Sequence, residues 1–407
     1  MNRVKLGMIG LGCRGSALVD TVLAIDDAEI VALCDAQSDR LQNESKKVNE
    51  RYKTNVKCYT DYKKLLADPA VEAVFIATSW DEHISMAVNS LKAKKITALE
   101  VGGAYNLEDC WKLVDTYEST GTPFMLMENC CYGKFELLTS ALVRSGELGT
   151  IVHAHGAYGH DLRDEVLGGN INRHYRLNNY LKRNCENYPT HELGPIAKIL
   201  NINRGNRMVS LVSVASKAAG LEEYSLSDKN PDKSLSGQKF KQGDIVNTII
   251  TCANGETISL KLDTTLPRYY SREFTVRGTK GLCNQEANMV LLEKNVNMHE
   301  FFDPHQTLLK YICNAETFKE YIPAAWKNIT QREIDIGHGG MDLLMFKDFI
   351  KKIKDGEPFP IDVYDAASWM CITALSEQSI EKGGMPVSIP DFTGGKWITK
   401  SPLDITI

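Results

Sequence analysis

Apolar residues come first in short runs and then in alternation, and the change falls about a third of the way along the chain. Up to about Asn129 the runs "VKLGMIG", "EIVALCDA", "VEAVFIAT", "ITALEV" and "PFMLMEN" are separated by stretches with helical spacing, such as "DEHISMAVNSLKAKK" and "LEDCWKLVDTYEST". Strands alternating with helices predict a parallel, doubly wound sheet. After Asn129, "IVHAHGAYGHDL", "MVSLVSVASKA", "DIVNTIITCANGETISLKLDTTL" and "SREFTVRGTKGLCNQEANMVLLE" read as alternating strands with hairpin signals such as Asn254-Gly255. They predict an open, mostly antiparallel sheet. Two long helices are expected at "GGMDLLMFKDFIKKIKD" and "VYDAASWMCITALSEQSIEKG", and the polar stretch "LEEYSLSDKNPDKSLSGQKFKQGD" reads as a surface loop. The expected fold is α/β. A Rossmann doubly wound sheet spans residues 1–129. An α+β domain on the open sheet spans 130–407, with the C-terminal helices packing back.

Composition narrows the class of partner. Lys plus Arg number 47 against 52 Asp plus Glu, a net charge of -5, and no basic stripe appears. Nucleic acid is therefore not an expected partner, and no apolar run reaches the length of a membrane span. The opening "MNRVKLGMIGLG" has the charge order of an export signal, but its glycines break the apolar run and no small-residue cleavage site follows. The 11 cysteines are scattered and odd in number, without paired zinc spacing. Reduced thiols and a cytoplasmic location are expected. An open sheet with one bare face pairs across a two-fold, so a homodimer is expected.

The first chemistry lies in the first turn. Gly10, Gly12 and Gly15 form G-x-G-x-x-G directly after a strand and before a helix, and Asp35 ends the second strand twenty residues beyond Gly15. The glycines permit the turn and the close approach of a pyrophosphate, which the helix N-terminus attracts. Asp35 would accept bonds from the adenosine ribose and repel a 2′-phosphate, so NAD is expected rather than NADP. "TSWDEH", Thr78 to His83, follows the strand ending at Ala77. There Trp80 and His83 either flank the nicotinamide or merely pack and start a helix.

With these pieces in place the chain resembles the Gfo/Idh/MocA oxidoreductases along essentially its whole length. It departs from them at "EVGG", Glu100 to Gly103. That superfamily commonly has Glu-Lys-Pro there, with the lysine near the reacting hydroxyl, and Val101 cannot move a proton. The segments "WDEH", "EV", "ENCCYG", "GAYGHDLR", "YRLNNYLKRNCENYPTHELGP", "NINRG", "PRYYSREFTVRGTKG" and "GHGGMD" together resemble one branch, the NAD-dependent glycosidases of glycoside hydrolase family 109, known as α-N-acetylgalactosaminidases. The resemblance implies cofactor contacts at Cys13, Arg14, Asp35, Trp80, Asp81, His83, Glu100, Val101 and Asn129. It implies substrate contacts at Tyr158, Arg176, Tyr188, His191 and Tyr270, with Glu128 and His160 nearby. Thr190, beside His191, is grouped with them.

Such an enzyme would hold NAD tightly and recycle it within each turnover. Hydride leaves C3 of the sugar, the C2 proton becomes acidic, the C1 substituent is expelled, water adds, and the hydride returns. Two deprotonations are needed. His191 is assigned to O3 because an imidazole titrates near neutrality. Tyr158 is assigned to C2, aided by a positive charge such as Arg176, and Tyr188 orients the sugar. Which of Tyr158 and His191 takes which proton stays open at this stage, as do the sugar, its anomer and its aglycone.

Each residue also has a plainer reading. His191 alone could cap a helix, and Tyr158 and Tyr188 could be core aromatics with bonded hydroxyls. His153, His155 and His160 invite a metal, but the first two face away from the third on a regular strand, so none is expected. Adjacent Cys130 and Cys131 suggest packing more than redox chemistry. Arg163, Arg176, Lys182 and Arg183 read as a solvated basic cluster or as the partner of an anionic substituent. Two other functions compete with the glycosidase. One is a net NAD-dependent sugar or cyclitol dehydrogenase, which the missing lysine disfavours. The other is a non-catalytic NAD-binding sugar sensor, which the density of Tyr, His and Arg at strand ends disfavours.

Overall fold

A computed structural model describes residues 3–295 and 309–407. They divide into two compact units. The first comprises the chain up to Tyr132 together with Ala324–Ala367 and Ile405–Ile407. The second comprises Gly133–Pro323, apart from the undescribed stretch, and Ser368–Asp404.

In the first unit β1 (Val4–Ile9), β2 (Ala28–Cys34), β3 (Lys57–Tyr59), β4 (Ala73–Ile76), β5 (Ile96–Glu100) and β6 (Phe124–Met127) form one parallel sheet in the order β3-β2-β1-β4-β5-β6. The central strands are buried on both faces, as parallel strands flanked by helices must be: every residue of β4 and β6 is buried. β3 has no apolar run ("KCY") and escapes a reading by hydrophobicity. The helix Met341–Asp355 belongs to this unit and sets the Phe346 ring 5.2 Å from Phe75 of β4. Ala324–Ala367, which includes this helix, clusters with the Rossmann sheet.

In the second unit β7 (Ile151–Gly159), β8 (Met208–Ala215), β9 (Ile245–Cys252), β10 (Thr257–Asp263), β11 (Thr275–Gly278), β12 (Gly281–Asn284), β13 (Met289–Leu292) and β14 (Val387–Ser388) form a second sheet, ordered β13-β12-β11-β7-β10-β9-β8-β14. All its pairings are antiparallel except β7 with β10. The helix Thr190–Ile199 lies on β7. Gly156 permits that approach: a β-carbon there would sit 2.9 Å from Glu192 Cβ and 3.0 Å from its carbonyl oxygen.

The polar stretch from Leu221 to Asp244 runs largely along the surface, as its composition suggests, but is anchored by buried residues. It contains the helix Gly220–Ser225, and Leu221, Asn230, Gln242 and Asp244 are buried. Gln242 Oε1 accepts from Cys185 N (3.2 Å) and Asn187 Nδ2 (2.6 Å), and Asp244 Oδ1 accepts from Thr265 Oγ1 (2.7 Å). Gln242 and Asp244 satisfy buried backbone, amide and hydroxyl groups, while most other polar residues of the stretch meet solvent.

Candidate active site

The dinucleotide turn begins with β1. Gly10 has φ +88°, and a β-carbon there would lie 2.5 Å from the Ala77 carbonyl oxygen. A β-carbon on Gly15 would overlap the Gly10 carbonyl. The turn and the packing of the helix Cys13–Leu23 onto the sheet thus account for two of the glycines. Gly12 is different: a β-carbon there would meet only the Arg40 guanidinium, at 3.5 Å. Nothing in the protein's own packing requires glycine at this position. It keeps open the space before a helix whose N-cap has no side-chain bond and whose first turn has no acid. That is the cradle a pyrophosphate fits. Asp35 is buried, and its oxygens accept from Leu11 N (2.7 Å) and Gln37 N (2.8 Å) while retaining lone pairs for a ribose.

The Thr78–His83 segment opens the helix Trp80–Lys92. Trp80 and His83 are buried, and Asp81 is exposed. The two rings pack on Gly102, where a β-carbon would overlap Trp80 and lie 2.8 Å from His83 Cε1. Burial pushes the His83 imidazole down to about 4. Val101 is buried beside Gly102. Glu128 is fully buried after β6, its Oε1 accepting from Cys130 N at 3.0 Å.

Arg14 is held by acids. Its Nη1 and Nη2 donate to Asp342 Oδ2 (2.7 Å) and Oδ1 (2.9 Å), and its Nε donates to Glu100 Oε2 (3.2 Å). Asn129 Nδ2 donates to Asp342 Oδ1 at 2.8 Å, and His338 Nδ1 lies 2.8 Å from Oδ2. Asp342 and His338 were not among the residues singled out from the sequence. Their signal was the quoted "GHGGMD", which carried no assigned role.

The second unit gathers its candidates at the end of β7. The Tyr158 ring lies 4.5 Å from that of Tyr188 and 5.7 Å from that of His191, and Tyr188 meets His191 edge-on at 4.7 Å. Tyr158 Oη is 3.3 Å from His160 Nδ1, and the His160 ring stands perpendicular to that of Tyr270 at 5.3 Å. The Arg176 guanidinium sits 5.2 Å over the Tyr188 ring and forms an ion pair with Glu165 at 2.9 Å. Tyr158, Tyr188, His191 and Arg176 are buried, whereas Tyr270 is 50 % exposed. Thr190 is completely buried, and its hydroxyl has no partner among the described residues.

The electrostatics follow from this crowding. Burial lowers the His160 pKa, and Arg176 lowers it further. Burial opposes the Arg176 charge, but Tyr158 and Glu165 outweigh it, so the guanidinium is firmly charged. The expected basic cluster is instead a set of ion pairs: Arg163 with Asp161 (2.6 Å), Arg176 with Glu165, and Arg183 with Glu377 (2.6 Å). His153 is engaged by Thr257 Oγ1 (2.8 Å) and His155 by Glu273 (3.1 Å), away from His160.

Two buried glutamates accompany the aromatic cluster, Glu186 two residues before Tyr188 and Glu192 next to His191. Glu186 and Glu192 are wholly buried, and Glu186 Oε2 and both Glu192 carboxyl oxygens lack a well-formed bond. Glu186 Oε1 accepts from Tyr188 N at 3.3 Å. Burial pushes Glu186 up to about 8 and Glu192 well above the usual carboxyl range, where the neighbouring Glu186 charge adds to it.

Comparison with known proteins agrees with both halves. Residues 4–127 match the family described as "Oxidoreductase family, NAD-binding Rossmann fold", and residues 132–399 match "Glycosyl hydrolase 109, C-terminal domain". The chain belongs to glycoside hydrolase family 109. An α-N-acetylgalactosaminidase of Tannerella forsythia is 36% identical to this family 109 chain over 98% of it and 88% of the relative. A glycosyl hydrolase family 109 protein of Stenotrophomonas maltophilia is 37% identical over 98% and 91%. Solved structures share the fold. An Agrobacterium radiobacter oxidoreductase in complex with NAD⁺, L-tartaric acid and magnesium superposes with a TM-score of 0.68 at 15% identity, covering 95% of this chain and 98% of that one. A levoglucosan dehydrogenase in complex with NADH and levoglucosan also gives 0.68, at 18% identity over 96% and 100%. Among the described residues no helix is long and apolar enough to cross a membrane.

Proposed function

We propose that this family 109 glycosidase hydrolyses N-acetylgalactosaminides, the α anomer preferred, by a redox-neutral route with tightly held, recycled NAD. The observation that carries this reading is the packing of Tyr158, Tyr188 and His191 within 6 Å of one another, ring centre to ring centre, on a fold with an open dinucleotide cradle. Gly10, Gly12, Cys13, Gly15 and Asp35 would hold the adenosine diphosphate half, and Trp80, Glu100, Val101 and Asn129 the remainder. When bound, NAD supplies reversible hydride exchange with C3 of the sugar. His191 takes the O3 proton as a neutral imidazole. Tyr158 takes the C2 proton as phenolate, with the charged Arg176 close enough to favour that form. Tyr188 and Tyr270 orient the ring. Val101 leaves no lysine to run a net dehydrogenase. The bare face of the second sheet, with Val152, Val214 and Ile249 exposed, supports a homodimer, which light scattering would test.

The deciding experiment incubates purified protein with p-nitrophenyl α- and β-N-acetylgalactosaminides in D₂O. Nitrophenol release without net NADH, with deuterium at C2 of the product, is expected. NADH accumulating with free sugar would instead make the protein a dehydrogenase, and release without C2 exchange would remove the elimination step. Ligand-induced stabilisation without turnover would mark a sensor.

A further inference from the structure

Arg14, Glu100 and Asn129 come from three places in the sequence, and a fourth residue ties them together. Asp342, 1% exposed, accepts two bonds from Arg14 and one from Asn129, while Arg14 also donates to Glu100. His338 completes the group. Its Nδ1 lies 2.8 Å from Asp342 Oδ2 and 3.0 Å from Arg14 Nη1. Burial would raise the Asp342 carboxyl, but His338 and Arg14 outweigh it and hold it well below the usual carboxylate range. The loop that delivers these groups is built for the purpose: Gly337, His338, Gly339 and Gly340 all have positive φ, and His338 does so at 44° without being glycine.

Sheet order places this group at one end of the dinucleotide. In a β3-β2-β1-β4-β5-β6 sheet the two nucleotide halves divide between β1 and β4. Asp35, after β2, belongs to the adenosine half. Glu100 ends β5 and Asn129 follows β6, on the side of the switch point opposite Asp35, where the nicotinamide half would lie, and Arg14 reaches them from the turn after β1. It sets two carboxylates against one guanidinium within this unit.

We propose that Glu100 and Asp342 bias the oxidation state in which the cofactor is held, favouring cationic NAD⁺ over neutral NADH. This rests on the redox-neutral reading, in which every turnover must begin and end with NAD⁺. A net dehydrogenase must exchange both forms freely. Arg14 is not a free phosphate ligand here but the group that fixes the two acids. Asp342 is a positioning residue for Arg14 as well as a source of charge.

The two forms of the cofactor differ in charge only at the nicotinamide. The ratio of the NADH to the NAD⁺ dissociation constant therefore isolates this effect from any loss of general affinity. That ratio would be measured at pH 8 by NADH fluorescence and its displacement by NAD⁺, in the wild type, Glu100→Gln, Asp342→Asn and Asp35→Asn. Removing one unit charge at an effective dielectric of about 20 lowers the ratio about tenfold even when that charge lies about 12 Å from the ring. For a two-electron couple that is a shift of about 30 mV in the bound potential. Wild type binding NAD⁺ more tightly, with both Glu100→Gln and Asp342→Asn losing that preference and Asp35→Asn keeping it, supports the proposal. Equal weakening of both forms in Glu100→Gln, or an equal shift in Asp35→Asn, overturns it. Should Asp342→Asn melt early, Glu100→Gln decides alone. A preference that shifts in a protein without hydrolytic activity sinks the glycosidase reading only. An unshifted preference in a hydrolytically active enzyme sinks this proposal only.

Discussion

On the proposed reading the two units prepare their ligands by opposite means. In the Rossmann unit recognition is made of backbone and of space: Gly12 leaves room, the helix Cys13–Leu23 offers unsatisfied N–H groups, and nearby charges are locked to one another. In the second unit recognition is made of side chains. Rings from β7 and from the helix Thr190–Ile199 crowd together, and two acids that accompany them go without good partners. The first arrangement is robust because a peptide N–H cannot be mutated away. The second concentrates its chemistry in a few replaceable groups and stores unfavourable burial next to them.

The sharpest way to break the contrast is within the glycine turn. Gly15→Ala forces a β-carbon into the Gly10 carbonyl and is expected to destabilise the unit by about 3 kcal/mol or more, visible as a much lower melting temperature. Gly12→Ala meets only Arg40, so the melt should scarcely move while NAD affinity falls at least about tenfold. A Gly12→Ala protein that binds NAD normally would mean that the open space is not the pyrophosphate cradle.

For the second unit the corresponding test is His191→Ala. Turnover is expected to fall about 10² to 10⁴-fold, the usual worth of a positioned base, with NAD affinity and the melting temperature unchanged. Retained turnover would return His191 to the role of a packed residue at a helix start.

This difference in construction also governs what could be read in advance. The Rossmann half was legible because its function is local: three glycines, a strand, a helix and Asp35 all lie within the first 35 residues. Tyr158, Tyr188 and His191 were found only through resemblance, since nothing in their spacing announces that β7 and the helix Thr190–Ile199 meet at Gly156. Asp342 escapes sequence reading because Arg14 and Asn129, which donate to it, lie more than 200 residues away. Gln242 was misread because polar residues that satisfy buried groups look, in sequence, like those that face water.

The buried acids offer a test by pH. Glu186 has an ordinary value of 4.5 and is raised to about 8 in the folded protein. Between those values the unfolded chain has released this proton while the folded protein retains it, so stability falls as pH rises and levels off above about 8. Glu186→Gln, which stays neutral, should flatten that fall by at least about 1 kcal/mol. Urea melts at pH 5 and pH 8 would measure it. An unchanged slope would show that burial does not hold the proton on Glu186.

The smallest effect is expected where the site meets solvent. Tyr270 is half exposed, and its ring stands edge-on to His160 at 5.3 Å. Tyr270→Phe removes one solvent-accessible hydroxyl and should raise KM about threefold or less with kcat intact. Tyr270→Ala also removes the wall beside His160, and KM should rise about tenfold. A fall in kcat in either variant would place Tyr270 among the groups that act on the transition state rather than among those that hold the sugar.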